Sequence, residues 1–140
     1  MPRSALHSRP VSAVGPASSH APARLARAWQ VFKRWGWVLI VLLATGVALM
    51  PTDQMPQAIQ FWDKAQHTLA YAGLALTGLW AIPRRPRLVL GGLALHGALV
   101  EVLQATLTTT RQGEWSDWLA DVLGLLLAWA LAAVVSRWVR

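Results

Sequence analysis

Residues 67–107 read HTLAYAGLALTGLWAI (67–82), PRRPR (83–87) and LVLGGLALHGALVEVLQATL (88–107). The first block contains no Asp, Glu, Lys or Arg, the third contains Glu101 alone, and Pro83 to Arg87 crowds three arginines and two prolines into five residues. Apolar runs of this length predict helices that cross a bilayer, where about 20 residues span roughly 30 Å of hydrocarbon. Proline at the first and fourth positions of a five-residue connection predicts a tight antiparallel hairpin, because proline removes a backbone donor and disfavours helix in the residue before it. The arginines place that turn on the cytoplasmic side.

Working outward, Trp35 to Met50 and Trp118 to about Val139 are two further apolar stretches, giving four spans. The first two, Trp35–Met50 and His67–Ile82, are short and must borrow turns from their flanks, with Phe32 extending one inward and Phe61 to Lys64 extending the other outward. The expected fold is all-α: a four-helix transmembrane bundle over 35–139 with both termini cytoplasmic, an interfacial amphipathic lead-in over 24–34, and a disordered basic tail over 1–23. The tail has no acid and no sustained apolar period, so ordering it would bury too little to offset the lost entropy. In the lead-in, Leu25, Trp29 and Phe32 recur at helical spacing beside Arg24, Arg27, Lys33 and Arg34, as expected of a helix lying at anionic headgroups. Ala48-Leu-Met50-Pro51 is a poor cleavage site, which makes the first span an uncleaved anchor.

Composition agrees. Of 140 residues 55% are apolar and only 14% charged, and nine Trp, several near the ends of apolar runs, suit the belt where hydrocarbon meets headgroups. The absence of Cys excludes disulfides, thiolate metal sites and cysteine nucleophiles. The net charge of +7 does not point to nucleic acid, because the basic residues avoid one side of the expected membrane. Six lie before the first span, Arg84, Arg85 and Arg87 fill the turn, and Arg137 and Arg140 end the chain, leaving Lys64 and Arg111 on the outer side. All six acids, Asp53, Asp63, Glu101, Glu114, Asp117 and Asp121, fall in outer loops or the outer parts of spans.

The outer ends therefore hold the candidate chemistry. Asp63, Lys64, His67 and Tyr71 are spaced by three and four residues and share a helix face; Glu101 and Gln104 are neighbours on the third span, with Gly97 one turn below Glu101; Asp117, Asp121 and Gly124 stripe the fourth. Glu101 is the most informative, since a carboxylate within an apolar span costs on the order of 2.5–3.5 kcal/mol on insertion scales and must face protein or water. Either it is a structural acid, protonated or paired with Arg111 or Lys64, or it is a site residue. Glu101 and His67 are the candidate catalytic groups, with either as general base and Asp117 or Asp121 as oxygen ligands if a divalent cation takes part. No specific metal site and no cofactor is identified: the chain lacks H-E-x-x-H and G-x-S-x-G, and Asp63 with His67 at i, i+4 is unspecific. Asp117 also suits an N-cap of the fourth helix. His96 lies roughly 140° around the helix from Glu101 and is expected to pack or to hydrogen-bond between helices.

The order Asp63-Lys64-x-x-His67-x-x-x-Tyr71-x-x-Leu74, Glu101-x-x-Gln104, then Arg111-x5-Asp117-x3-Asp121-x-x-Gly124 resembles the VanZ-like family over about residues 35 to 135. Asp121 stands where many relatives have Asn, and Ala128 where they often have a second Gly. The resemblance implies a small helical protein of the bacterial plasma membrane, typified by one associated with teicoplanin resistance, and ligand-binding positions at Asp63, Lys64, His67, Tyr71, Glu101, Gln104, Arg111, Asp117 and Asp121. The outer cations Lys64 and Arg111 suggest an anionic lipid or a lipid-linked cell-wall precursor as partner. Alternatives are a membrane enzyme acting on a lipid headgroup through Glu101 and His67, a small proton-coupled transporter, and a structural module without ligand.

Overall fold

A computed structural model describes residues 20–51, 62–108 and 113–138. It is all-α, with helix α1 at His20–Ala48, α2 at Asp63–Ala81, α3 at Pro86–Leu107 and α4 at Trp115–Trp138. The chain reverses between α2 and α3 as the prolines require. Ile82 donates the last amide bond to the Gly78 carbonyl at 2.8 Å, Pro83 cannot continue the helix, and Pro86 opens α3 where a missing N–H costs nothing. At the other end of α3, Thr108 turns extended while its hydroxyl donates to the Gln104 carbonyl at 2.8 Å, satisfying a terminal acceptor.

Three helical stretches, Pro22–Ala48, Pro86–Leu107 and Trp115–Trp138, are long and apolar enough to cross a membrane. Helix α2, with 19 residues, is not among them, because its first turns carry Asp63, Lys64, Gln66 and His67. The expected lead-in over 24–34 is not a separate element: it is continuous with the apolar stretch that follows, and the helix begins at His20, inside the segment expected to be a tail. The rest of that tail, residues 1–19, lies outside the described residues.

Cross-helix contacts fix the direction of each helix. Lys64 meets Asp117, His67 meets Asp121 and Thr68 meets Ala120 at nearly constant sequence offset, so α2 and α4 run parallel. Tyr71 meets His96 while Val89 lies against Gly78, so α2 and α3 run antiparallel. Trp37 donates to the Leu74 carbonyl and Lys33 to that of Trp80, which makes α1 antiparallel to α2. The helices thus alternate up and down. Lys33, Arg84 and Arg85 collect at one end, and Glu101, Glu114, Asp117 and Asp121 at the other. Helix α2 contacts all three others, most extensively α4.

Small residues permit this packing. A Cβ on Gly124 would collide with the Thr68 carbonyl oxygen, and one on Gly78 would stand 2.7 Å from Val89 and 2.8 Å from Trp37. The core is Tyr71, Leu74, Ala75, Val89, Leu93, Leu125 and Ala128. The outer surface is apolar instead of charged: Leu42, Leu43, Leu69, Leu95, Leu126, Leu127 and Leu131 are all more than half exposed. Apolar area of that extent on a single chain marks a surface covered by lipid or by protein. Trp29, Trp35, Trp62, Trp80, Trp115 and Trp138 are likewise exposed, whereas Trp37 and Trp118 point inward and donate to the Leu74 and Ala94 carbonyls at 3.0 and 2.9 Å.

Candidate functional site

The acid-rich end is assembled from α2, α3 and α4. Because α2 and α4 run parallel in register, residues three apart on α2 face residues four apart on α4. Lys64 sends its ammonium to Asp117 Oδ1 at 2.7 Å, to Ser116 Oγ at 2.9 Å and to Glu114 Oε2 at 3.3 Å. One turn deeper, His67 Nδ1 meets Asp121 Oδ1 at 2.8 Å. From α3, Glu101 brings Oε1 to 4.0 Å from the same imidazole nitrogen, while its Oε2 accepts the Glu114 N–H at 2.8 Å and so fastens the approach to α4.

Burial is graded along this stack. Lys64 is more than half exposed, whereas the side chains of His67, Glu101, Asp117 and Asp121 are each about nine-tenths buried or more. Among the described residues, two buried side-chain oxygens have no hydrogen-bond partner: Glu101 Oε1 and Asp121 Oδ2.

A second set of polar side chains continues inward. Thr45 donates its single hydroxyl proton to the Val41 carbonyl at 2.8 Å, so it must accept from His96 Nε2 at 2.8 Å. That fixes the His96 tautomer in its neutral form, and Nδ1 then accepts the Tyr71 hydroxyl proton at 2.9 Å. Gly97 makes room for both layers: a Cβ there would lie 2.6 Å from Asp121 Oδ2 and 3.2 Å from the Tyr71 hydroxyl. The expected interhelical role of His96 and the close helix approach at Gly97 are therefore both present.

The residues singled out in the sequence separate into groups. Lys64, His67, Glu101, Asp117 and Asp121 converge, and Asp63 offers a carboxylate oxygen within 4.8 Å of the ligand atoms of His67 and Asp117. Tyr71 joins the inner set. Gln104 is buried but turned away, donating to the Ala48 carbonyl at the end of α1 at 2.9 Å. Arg111 lies outside the described residues, so the expected Glu101–Arg111 pairing does too; nor does Glu101 pair with Lys64, whose carboxylate partners are Glu114 and Asp117. Asp117 is not an N-cap: α4 starts two residues earlier, at Trp115, and the Asp117 carboxylate reaches across to Lys64 instead. It still lies in the first turn, where a negative charge favours the helix dipole.

Sequence reasoning missed Thr45, Ser116 and Glu114. Thr45 gives no periodic signal within an apolar run, and Glu114 acts partly through its backbone amide. Chemically, an imidazole held by a buried carboxylate is an oriented acid–base group: with Asp121 ionised, Nδ1–H donates to it and Nε2 keeps the lone pair. With Glu101 alongside, the same three side chains also offer one nitrogen and two carboxylates to a cation, their ligand atoms all within 4.8 Å of one another. No family model, no curated protein and no solved structure matches this chain.

Proposed function

We propose that this chain is a four-span, VanZ-like membrane protein of the bacterial cell envelope, with both ends cytoplasmic, whose acid-rich end takes the headgroup of a membrane lipid or lipid-linked precursor. The observation that carries the reading is the buried His67–Asp121 pair with Glu101 beside it, built at one end of a bundle whose outside is apolar. Arginines gathered at the opposite end support the orientation. Buried ionisable groups at the end of a membrane bundle are costly and are a functional-site signature.

The chemistry favours acid–base work on a headgroup hydroxyl over simple capture of an anion. Lys64 is the one outer cation among the described residues, and its ammonium is already taken by two carboxylates and a hydroxyl. His67 and Glu101 are instead the groups placed to exchange a proton with a headgroup. Any link to glycopeptide resistance rests on the family resemblance.

The test is thermal stability of the purified protein in nanodiscs against polyprenyl phosphates, cell-wall lipid precursors and common phospholipids, comparing wild type with Glu101→Gln. A shift for one ligand that disappears in the variant is expected. No shift for any ligand, with the variant merely less stable, would leave a structural module.

A further inference from the structure

We propose that His67, Glu101 and Asp121 form a divalent transition-metal site, with Zn²⁺ or Mn²⁺ as the class of ion. The inference rests on the reading of this end of the bundle as a site and names the cofactor that would serve it. Three helices each deliver one ligand: an imidazole from α2, a carboxylate from α3 and a carboxylate from α4. Acids near one another are common without an ion. What sets these apart is that Glu101 is 8% exposed and Asp121 1% exposed, while, among the described residues, Glu101 Oε1, the oxygen beside His67 Nδ1, has no hydrogen-bond partner, and neither has Asp121 Oδ2, the second oxygen of the carboxylate whose Oδ1 would be the ligand. A buried carboxylate oxygen without a donor costs free energy that a cation would offset.

The geometry is close to what an ion requires. Metal–ligand bonds of about 2.1 Å in a tetrahedral shell put neighbouring ligand atoms about 3.4 Å apart. His67 Nδ1 stands 2.8 Å from Asp121 Oδ1 and 4.0 Å from Glu101 Oε1, so one spacing must open and the other close by about 0.6 Å. Binding replaces the Nδ1–H···Oδ1 hydrogen bond: the imidazole changes tautomer, its one proton passing from Nδ1 to Nε2 by way of solvent, and both atoms turn to the ion. A neutral imidazole with two carboxylates cancels the charge of a divalent cation, which suits a site of low dielectric. The nitrogen ligand favours zinc over calcium or magnesium, and the two carboxylates also admit manganese.

Three protein ligands leave a coordination position open, as in catalytic rather than structural zinc sites. An oxygen of a headgroup phosphate or hydroxyl, or water, would complete the shell, and with the ion in place the group that exchanges a proton would be that bound hydroxyl or water, since His67 Nδ1 and Glu101 Oε1 would then be ligands. The ion would supply the positive charge that Lys64, already bonded to Asp117, does not offer. Asp63 and Asp117 lie around the same imidazole as a competing set, so the experiment must tell the two apart.

Chelator-stripped protein in nanodiscs of neutral phospholipid would be titrated with Zn²⁺ by calorimetry, for wild type, Glu101→Gln, Asp121→Asn and Asp63→Asn. One saturable equivalent is expected, weakened at least about tenfold by Glu101→Gln and by Asp121→Asn and little by Asp63→Asn. Mn²⁺ bound to unaltered protein should show spin coupling to a histidine nitrogen, a readout that does not depend on any variant folding. No saturable binding, no nitrogen coupling, or affinity lost only in Asp63→Asn would overturn the assignment. Ion binding without any headgroup shift would keep this site and remove the headgroup reading; a headgroup shift in stripped protein that takes up no ion would do the reverse.

Discussion

Gly124 is where α4 packs directly against the backbone of α2, and replacing it with alanine tests the packing on which the acid-rich end depends. An added Cβ would run into the Thr68 carbonyl oxygen and stand 3.0 Å from the Ala72 nitrogen. Both are main-chain atoms, so no side-chain rotation relieves the clash and the helices must part. Parting them stretches the Thr68 hydroxyl bond to the Ala120 carbonyl, now 3.1 Å, and the His67–Asp121 bond, now 2.8 Å. Overpacking of this kind costs about 1–3 kcal/mol, which for a chain of this size lowers the melting temperature by about 3–12 °C. The assay is thermal unfolding in one detergent or nanodisc preparation, with Gly73→Ala as control. At Gly73 a Cβ meets nothing within 4 Å, so that change should be neutral or gain up to about 1 kcal/mol from helix propensity. Gly97→Ala should differ from both: its Cβ meets the ends of Asp121 and Tyr71, which can swing aside, so ligand or ion binding should fall more than stability. If Gly124→Ala melts within a degree of wild type, the helices do not approach as described.

Three further outcomes follow from the same contacts. Lys64→Met should lower the melting temperature by stranding the buried Asp117 carboxylate, Lys64→Arg should retain most of the stability, and high salt should narrow the gap between them; equal melting of all three would mean the ion pair contributes nothing. His67→Ala and Asp121→Ala, measured singly and together by equilibrium unfolding, should show a coupling of about 0.5–3 kcal/mol, whereas strict additivity would deny that they act as a pair. The chain has no Cys, so Arg85→Cys and Trp115→Cys can each carry one label: an impermeant thiol reagent added to intact cells should modify the second and spare the first, and labelling of both or of Arg85→Cys alone would contradict the proposed orientation.

Much of this arrangement was legible in the sequence because it depends on period and charge. The hairpin at Pro83–Arg87, the separation of arginines from acids, and the stripes Lys64–His67–Tyr71 and Asp117–Asp121–Gly124 all follow from helical spacing, and the structure brings the stripes face to face. What sequence could not give was register. Whether Lys64 would meet Glu101 or Asp117 depends on how far α2 slides along its neighbours, and that is set by where glycines allow contact, at Gly78, Gly97 and Gly124. Helix starts were equally hidden: Asp117 has the chemistry of a cap, yet α4 begins at Trp115 and the carboxylate works in trans. Trp37 and Trp118 could not be told from the interfacial tryptophans by composition, since only the position of an acceptor carbonyl distinguishes them.

Helix α2 brings these points together. It is the helix whose hydropathy falls short of a membrane span, and it also makes the most extensive contacts with the others. The two facts have one cause. Lys64, His67, Thr68 and Tyr71 depress its hydropathy, but each spends its polar atoms on α3 or α4: Lys64 on Asp117, His67 on Asp121, Thr68 on the Ala120 carbonyl, Tyr71 on His96. Lipid would meet the opposite face, where Leu69 is exposed. On the four-span reading, then, α2 is stable in the membrane because its partners satisfy it, and not through its own transfer free energy. The groups that form the site are the same groups that let α2 occupy its place. A substitution such as Asp121→Ala therefore weakens the site and the insertion of α2 together, and the near-isosteric changes Asp121→Asn and Glu101→Gln are the ones that separate chemistry from assembly.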